Sequence, residues 1–131
     1  MTRFVVDASA VIHIASKGLE VSGDHELLAP TLLRSQTLSL LYEAVRRGEL
    51  PADDALDRLE RIWQMRIRLL GDAVLRRKAW KVAERMGWPD TYNAEYVALT
   101  QLQADAFVTR DAKLARSVKK IVATASIDAL R

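Results

Sequence analysis

The sequence has 131 residues, half of them hydrophobic, and a net charge of +3, which suits one domain over residues 1–131 with its own apolar core. The absence of cysteine excludes disulfides, zinc–thiolate sites and thiol nucleophiles, and favours a cytoplasmic protein. No apolar run approaches the roughly 18 residues of a membrane span and no signal-peptide pattern is visible, so we expect a soluble, unexported protein.

Apolar strands alternate with amphipathic helices along the chain. Strands are predicted, in chain order, over residues 3–7, 27–29, 67–70, 106–109 and 121–124. Helices are predicted over residues 8–16, 31–47, 53–65, 73–86, 91–103 and 112–118. The second of these has Pro30 before it and Gly48 after it, which suit the beginning and the end of a helix. This alternation predicts an α/β fold with a parallel sheet covered on both faces.

Two aspartates lie where a predicted strand ends and a helix begins. Asp7 follows the first strand and Asp111 follows the fourth, and the carboxyl ends of parallel strands meet at one edge of a sheet. Two converging carboxylates stay ionised together when a cation lies between them. Oxygen ligands suit Mg²⁺ or Mn²⁺, which activate water and bind phosphate oxygens. The sequence therefore predicts a divalent-metal site that acts on phosphate.

Helix capping is the alternative explanation for each acid considered alone. Aspartate is a favoured helix N-cap that contributes about 1 kcal/mol, and capping would account for Asp7, Asp72, Asp90 or Asp111 individually. The strand–aspartate–helix arrangement recurs at both ends of the chain, however, and this recurrence favours a shared site.

Four segments in order, residues 4–10, 29–33, 92–99 and 108–111, resemble the successive signatures of PIN domains, and more closely those of VapC-type toxins. The resemblance spans nearly the whole chain. It implies a three-layer α/β/α fold with a short parallel sheet, Mg²⁺-dependent endoribonuclease activity, a homodimer, and a small inhibitory antitoxin as partner.

The resemblance also implies a quartet of acids, of which this chain keeps two. The first acid falls on Asp7 and the last on Asp111, whereas the second falls on Gln36 and the third on Asn93. Both replacements are amides that still offer a carbonyl oxygen to a metal. Each removes one negative charge, so the metal affinity is expected to be lower than with four acids.

Three further residues are candidates for supporting roles. Asp90 precedes Asn93 by three residues, so both would share a helix face, and Asp90 is either a substitute ligand or a cap. Glu43 lies two turns after Gln36, roughly 10 Å further along the helix, which suggests a surface or supporting position. In a different register of the resemblance Glu43 takes the place of the second acid, but residues 29–33 are then unmatched. Thr109 either holds the carboxylates through its hydroxyl or is simply the threonine at the end of a strand.

Other polar and aromatic residues give weaker indications of function. Glu95 points away from Asn93 on the same helix and is expected to contact a neighbouring element. The three tryptophans are expected in the core or at an interface rather than as platforms for bases. Clustered basic residues suit phosphate but equally suit solvated helix faces: Arg46, Arg47, Arg66, Arg68, Arg76, Arg77, Lys78 and Lys81.

Three functions are compatible with these features. The first is a VapC-like ribonuclease with Asp7, Asp90 and Asp111 at the metal. The second is a module of the same fold that binds RNA or an antitoxin without cutting. The third, a phosphoacceptor signalling domain, is disfavoured because it expects paired acids after the first strand, where Ala8 and Ser9 follow Asp7.

Overall fold

Five parallel strands form one sheet in the order β3-β2-β1-β4-β5. The computed structural model describes all 131 residues. The strands are β1 (Thr2–Val6), β2 (His25–Pro30), β3 (Ile67–Leu70), β4 (Ala106–Val108) and β5 (Thr124–Ala125). The helices are α1 (Ala8–Lys17), α2 (Leu32–Arg46), α3 (Ala52–Gln64), α4 (Ala73–Met86), α5 (Tyr92–Gln103) and α6 (Ala112–Val118), and a 3₁₀ turn covers Ile127–Leu130.

The order of the strands reverses between β1 and β4. The chain steps outward from β1 to β2 and β3, then crosses back to β4 on the other side of β1. Because such crossovers are right-handed in nearly all proteins, helices that connect strands toward β3 and helices that connect strands toward β5 cover opposite faces of the sheet. A crevice forms at such a reversal, outside the carboxyl ends of the two strands, and it is the usual ligand site of open parallel sheets.

The core lies on both sides of the sheet, as expected for β-branched and apolar strands. Val5, Val6, Phe107 and Val108, which face both sides, are fully buried. Helix α5 packs directly on β1, β2 and β4 and also on α4, while α3 packs on α1 and α2. The predicted α/β fold, with a sheet flanked by helices, is confirmed.

The last predicted strand is wrong in its position. Residues 121–124 were expected to be extended, but β5 covers only Thr124–Ala125. The amides of Ile121 and Val122 donate to the carbonyl of Val118 and so prolong the turn after α6. The second strand is longer than expected, because His25 and Glu26 pair in register with Thr2 and Arg3.

No helix in the structure has both the length and the apolar character that a membrane crossing requires.

Candidate metal site

Asp7 is a buried carboxylate at the carboxyl end of β1. It caps α1, since its Oδ1 accepts hydrogen bonds from the Ala10 amide (3.0 Å) and the Ser9 hydroxyl (2.7 Å). Its other oxygen, Oδ2, accepts a hydrogen bond from the Thr109 hydroxyl. The residue is only 8% exposed, so these donors hold the carboxylate in one orientation.

The pKa of Asp7 is raised above its ordinary value of 3.8, mainly because burial disfavours the charged form. The hydrogen bonds from Thr109, Ser9 and Ala10 act in the opposite direction, and the negative charge of Asp111 adds to the rise. The ionised form of Asp7 is therefore costly in the folded protein unless a cation lies near it.

Asp111 lies beside Asp7 because β4 is the neighbour of β1. Its Oδ1 accepts from the Leu114 amide at 3.0 Å and caps α6. Its own amide donates to the Thr109 hydroxyl at 3.1 Å, and Thr109 donates in turn to Asp7. Thr109 thus links the two acids. The two acids act as helix caps and also meet at one place, so the capping and site interpretations of the sequence are compatible.

Gln36 and Asn93 line the same cavity as the two acids, with a volume of about 180 Å³. Gln36 comes from α2 and Asn93 from the first turn of α5. The Tyr96 hydroxyl donates to Gln36 Oε1 at 2.5 Å and orients the amide. The pKa of Tyr96 is raised by burial, then by the charges of Asp7 and Glu95, so the hydroxyl keeps its proton. Sequence reasoning missed Tyr96, although it lies one helical turn after Asn93.

Asp90 and Glu43 lie outside this cavity. Helix α5 begins at Tyr92, so the expectation that Asp90 and Asn93 share a helix face is wrong. Asp90 is exposed in the preceding loop and accepts a hydrogen bond from the Tyr92 amide at 3.2 Å. Glu43 lines an adjacent surface groove with Gln36, where it accepts from Ser39 and pairs with Arg47. Neither residue shares the cavity with Asp7.

The donor atoms at the cavity are the oxygens that a hard divalent cation prefers, but only two of the four side chains carry a negative charge. Asp7, Asp111, Gln36 and Asn93 present oxygen acceptors, which Mg²⁺ and Mn²⁺ prefer. No cluster of three or more acidic, histidine or cysteine side chains suitable for a metal exists in the structure. Two carboxylates and two amides therefore form a candidate site of reduced negative charge.

The three-dimensional structure is similar to solved structures of known proteins. PAE2754 from Pyrobaculum aerophilum superposes with a TM-score of 0.78 at 21% identity, over 98% of this chain and 92% of that one. VapBC-1 from nontypeable Haemophilus influenzae superposes with a TM-score of 0.60 at 11% identity, over 96% and 98% respectively. No protein-family model and no curated protein matches the sequence. The chain has a PIN-like fold, as its resemblance to PIN domains led us to expect.

Replacing Thr109 with valine is expected to lower the free energy of unfolding by about 1–3 kcal/mol, because Asp7 and the Asp111 amide each lose a hydrogen-bond partner. Urea unfolding near neutral pH measures the change. Thr124→Val is the control, since Thr124 is exposed in β5 and valine suits a strand. Equal stability of the two variants would contradict a linking role for Thr109.

Proposed function

We propose that this chain is a metal-dependent endoribonuclease of the VapC type, the toxin of a type II toxin–antitoxin pair, which hydrolyses RNA phosphodiester bonds. One observation carries the proposal: Asp7, Asp111, Gln36 and Asn93 line one cavity at the strand-order reversal of a PIN-like fold. Ligands bind at such reversals, and oxygen-only donor sets suit phosphoryl chemistry.

In this proposal Asp7 and Asp111 hold Mg²⁺, or Mn²⁺ in its place, with the carbonyl oxygens of Gln36 and Asn93 beside them. A divalent ion there supplies charge neutralisation on the phosphate and activation of water. Tyr96 keeps the Gln36 oxygen aimed into the cavity through its hydrogen bond. Asp90, predicted from sequence as a third ligand, lies in the exposed loop before α5, and a metal role for it requires that loop to move.

Arg110 lies between Thr109 and Asp111 in the chain. Its amide donates to the Ser9 hydroxyl at 2.9 Å, and its guanidinium contacts His13 Nδ1. A guanidinium suits an RNA phosphate, which it binds with paired hydrogen bonds. In this proposal Arg110 leaves His13 and binds the RNA backbone near Asp111.

The experiment that tests the proposal is cleavage of structured RNA with Mg²⁺, with Mn²⁺ and with EDTA. Wild-type protein is expected to cleave with either metal and not with EDTA. The cleavage rate of Asp111→Asn is expected to be at least about 100-fold lower, since even residues that only hydrogen-bond to a metal ligand change affinity or activity 10–100-fold. Asp57→Asn is the control, because Asp57 is exposed on α3 and pairs only with Arg61. Metal-independent cleavage, or equal rates for both variants, would refute the proposal.

The second candidate is a PIN-like module that binds RNA or an antitoxin without cutting. The observation that favours it is the lack of any cluster of three or more metal-binding side chains. Calorimetry with Mn²⁺ discriminates between the two candidates. Absence of binding up to millimolar Mn²⁺ would favour the module, whereas binding that is lost in Asp7→Asn would favour the nuclease.

We further propose a cytoplasmic protein that forms a homodimer and binds an antitoxin. The VapBC-1 likeness supports an antitoxin partner, and so does an apolar groove between α2, α3 and β3 lined by Leu33, Ile62 and Met65. Leu38 and Tyr42, one turn apart on α2, are both exposed and suit a protein contact. Sedimentation of the chain alone, and with the product of a neighbouring short reading frame, tests both partners; a monomer in both cases would refute them.

A further inference from the structure

A second and larger cavity lies at the same edge of the sheet, beyond β2 and β3. Its volume is about 430 Å³, within the range of small-molecule sites. Thr31 and Gly71, which follow β2 and β3, line its floor, and α4 and α5 supply Arg76, Trp80 and Glu95. The proposed function uses none of these three side chains. The Gly71 position is closely approached, since a Cβ there would lie 3.1 Å from the Thr31 hydroxyl oxygen.

Glu95 is a carboxylate in this cavity to which no protein group donates a hydrogen bond. It is half-buried, and its carboxylate takes part in none of the side-chain hydrogen bonds or ion pairs of the structure, whereas Asp72 nearby caps α4. Partial burial raises the pKa of Glu95, and no protein donor offsets this effect. An incoming group with N–H donors would satisfy it.

Trp80 and Arg76 provide flat surfaces beside Glu95. They are four residues apart on α4 and therefore share one helix face. The indole is 65% exposed, so Trp80 does not lie in the core, and Arg76 forms no ion pair in the structure. Exposed aromatic rings and free guanidinium planes are the surfaces on which proteins stack single-stranded bases.

The two cavities are neighbours along the sheet edge. Glu95 lines the second cavity and the next residue, Tyr96, lines the first. Adjacent strands are about 4.8 Å apart, and β2 and β3 are the first and second neighbours of β1 on this side. The second cavity therefore lies on the order of 5–10 Å from the acids, a distance that one nucleotide of an extended strand spans.

We infer that the second cavity binds the base of a nucleotide next to the cleaved phosphate in single-stranded RNA, and that it prefers guanine. This inference rests on the proposed ribonuclease function. A carboxylate accepts two hydrogen bonds side by side, and guanine is the one RNA base with two adjacent N–H donors, N1–H and the N2 amine, on its Watson–Crick edge. Trp80 stacks on the base, and Arg76 lies near its O6 or the adjoining phosphate.

The test measures binding separately from cleavage. Fluorescein-labelled RNAs of sequence UUXUU, with X as each of the four bases, are titrated with full-length protein in EDTA. Wild-type protein is expected to bind the guanine RNA about tenfold more tightly than the others. Glu95→Gln is expected to reduce that preference to less than about twofold, whereas Glu60→Gln, at an exposed position of α3 that does not line the cavity, is expected to keep it.

The tryptophan variants test stacking. Trp80→Ala is expected to weaken binding of all four RNAs by about tenfold, and Trp80→Phe, which keeps an aromatic face, is expected to restore most of it. Equal binding of the four RNAs by wild-type protein, or an unchanged preference in Glu95→Gln, would overturn the inference. A Trp80→Ala protein with lower sedimentation mass and unchanged RNA binding would also overturn it, because the surface would then be a contact between copies of the chain.

These outcomes are distinguishable from failure of the nuclease proposal. Mg²⁺-dependent cleavage without any Glu95-dependent base preference would refute the base site alone. Guanine binding that depends on Glu95, in a protein that does not cleave with Mg²⁺ or Mn²⁺, would support the base site and refute the nuclease.

Discussion

Replacing Asp7 with asparagine is expected to reduce Mg²⁺-dependent cleavage by at least about 100-fold while leaving the fold intact. Asparagine is as good a helix N-cap as aspartate, so the bond from the Ala10 amide is retained. The Thr109 hydroxyl is able to donate or accept and therefore tolerates an amide in place of the carboxylate. Full activity in this variant, measured with the structured RNA used for wild-type protein, would rule out Asp7 as a metal ligand.

The same variant is expected to change the dependence of stability on pH in the absence of metal. Because burial raises the pKa of Asp7 above 3.8, the folded state holds this proton more tightly than the unfolded state does. The resulting stabilisation is complete below pH 3.8 and is lost as the pH rises through the folded pKa. The stability of Asp7→Asn relative to wild type should therefore rise over that interval and then level off.

Urea unfolding in EDTA between pH 3.5 and pH 7 measures this difference. Metal supplies the complementary test, since a ligand at ten times its dissociation constant stabilises the folded state by about 1.4 kcal/mol. Millimolar Mg²⁺ or Mn²⁺ at pH 7 is expected to stabilise wild-type protein and not Asp7→Asn. If wild-type protein and Asp7→Asn gave parallel stability–pH profiles and equal responses to metal, the proposal that Asp7 has a raised pKa and binds a cation would be contradicted.

Placing acids at the two amide positions of the cavity is expected to strengthen the site. In the double variant Gln36→Glu with Asn93→Asp, Mn²⁺ affinity is expected to rise at least about tenfold for each added charge, because a carboxylate about 4 Å from a cation contributes on the order of 1–4 kcal/mol. The Gln36→Glu replacement retains an oxygen acceptor for the Tyr96 hydroxyl, so the geometry is preserved. Cleavage at limiting Mg²⁺ is expected to rise with the affinity.

Calorimetry with Mn²⁺ and cleavage at submillimolar Mg²⁺ measure these two effects. Gln103→Glu, at the exposed end of α5, adds a charge away from the cavity and is the control. Without metal, the double variant is expected to be less stable than wild type, since the added charges repel Asp7. Equal metal affinity in the double variant and the control would mean that Gln36 and Asn93 lie too far from the ion.

Much of the fold was predictable because local pattern determines local structure. Three of the five strands, β1, β2 and β4, are largely apolar runs with buried residues, and β3 is an apolar, part-buried strand at the sheet edge. Every predicted helix is present within a few residues. The error at 121–124 has a clear cause. Ile121 and Val122 are β-branched, but their amides donate to the carbonyl of Val118 and continue the turn after α6. Local hydrogen bonds at the helix end therefore outweighed the intrinsic strand preference of these residues.

The acids of the site were predictable for a different reason. Asp7 and Asp111 each follow an apolar strand, and a parallel sheet brings such positions together. The expected roles of Gln36 and Asn93 came from the order of the family signatures, and both residues line the cavity with the acids. The choice between ligand and cap for Asp90 stayed open in the sequence, because both roles suit an aspartate just before a helix; in the structure Asp90 accepts from the Tyr92 amide.

The sequence by itself determined the alternation of strands and helices and the oxygen donors of two aspartates and two amides, because these are properties of residue type and local order. Only the tertiary structure decided how strongly the acids interact and what surrounds them. The elevated pKa of Asp7, the Thr109 link and the cavity of Glu95, Arg76 and Trp80 arise from side chains on different strands and helices. Burial and distance between such elements depend on how they pack, which no local pattern encodes.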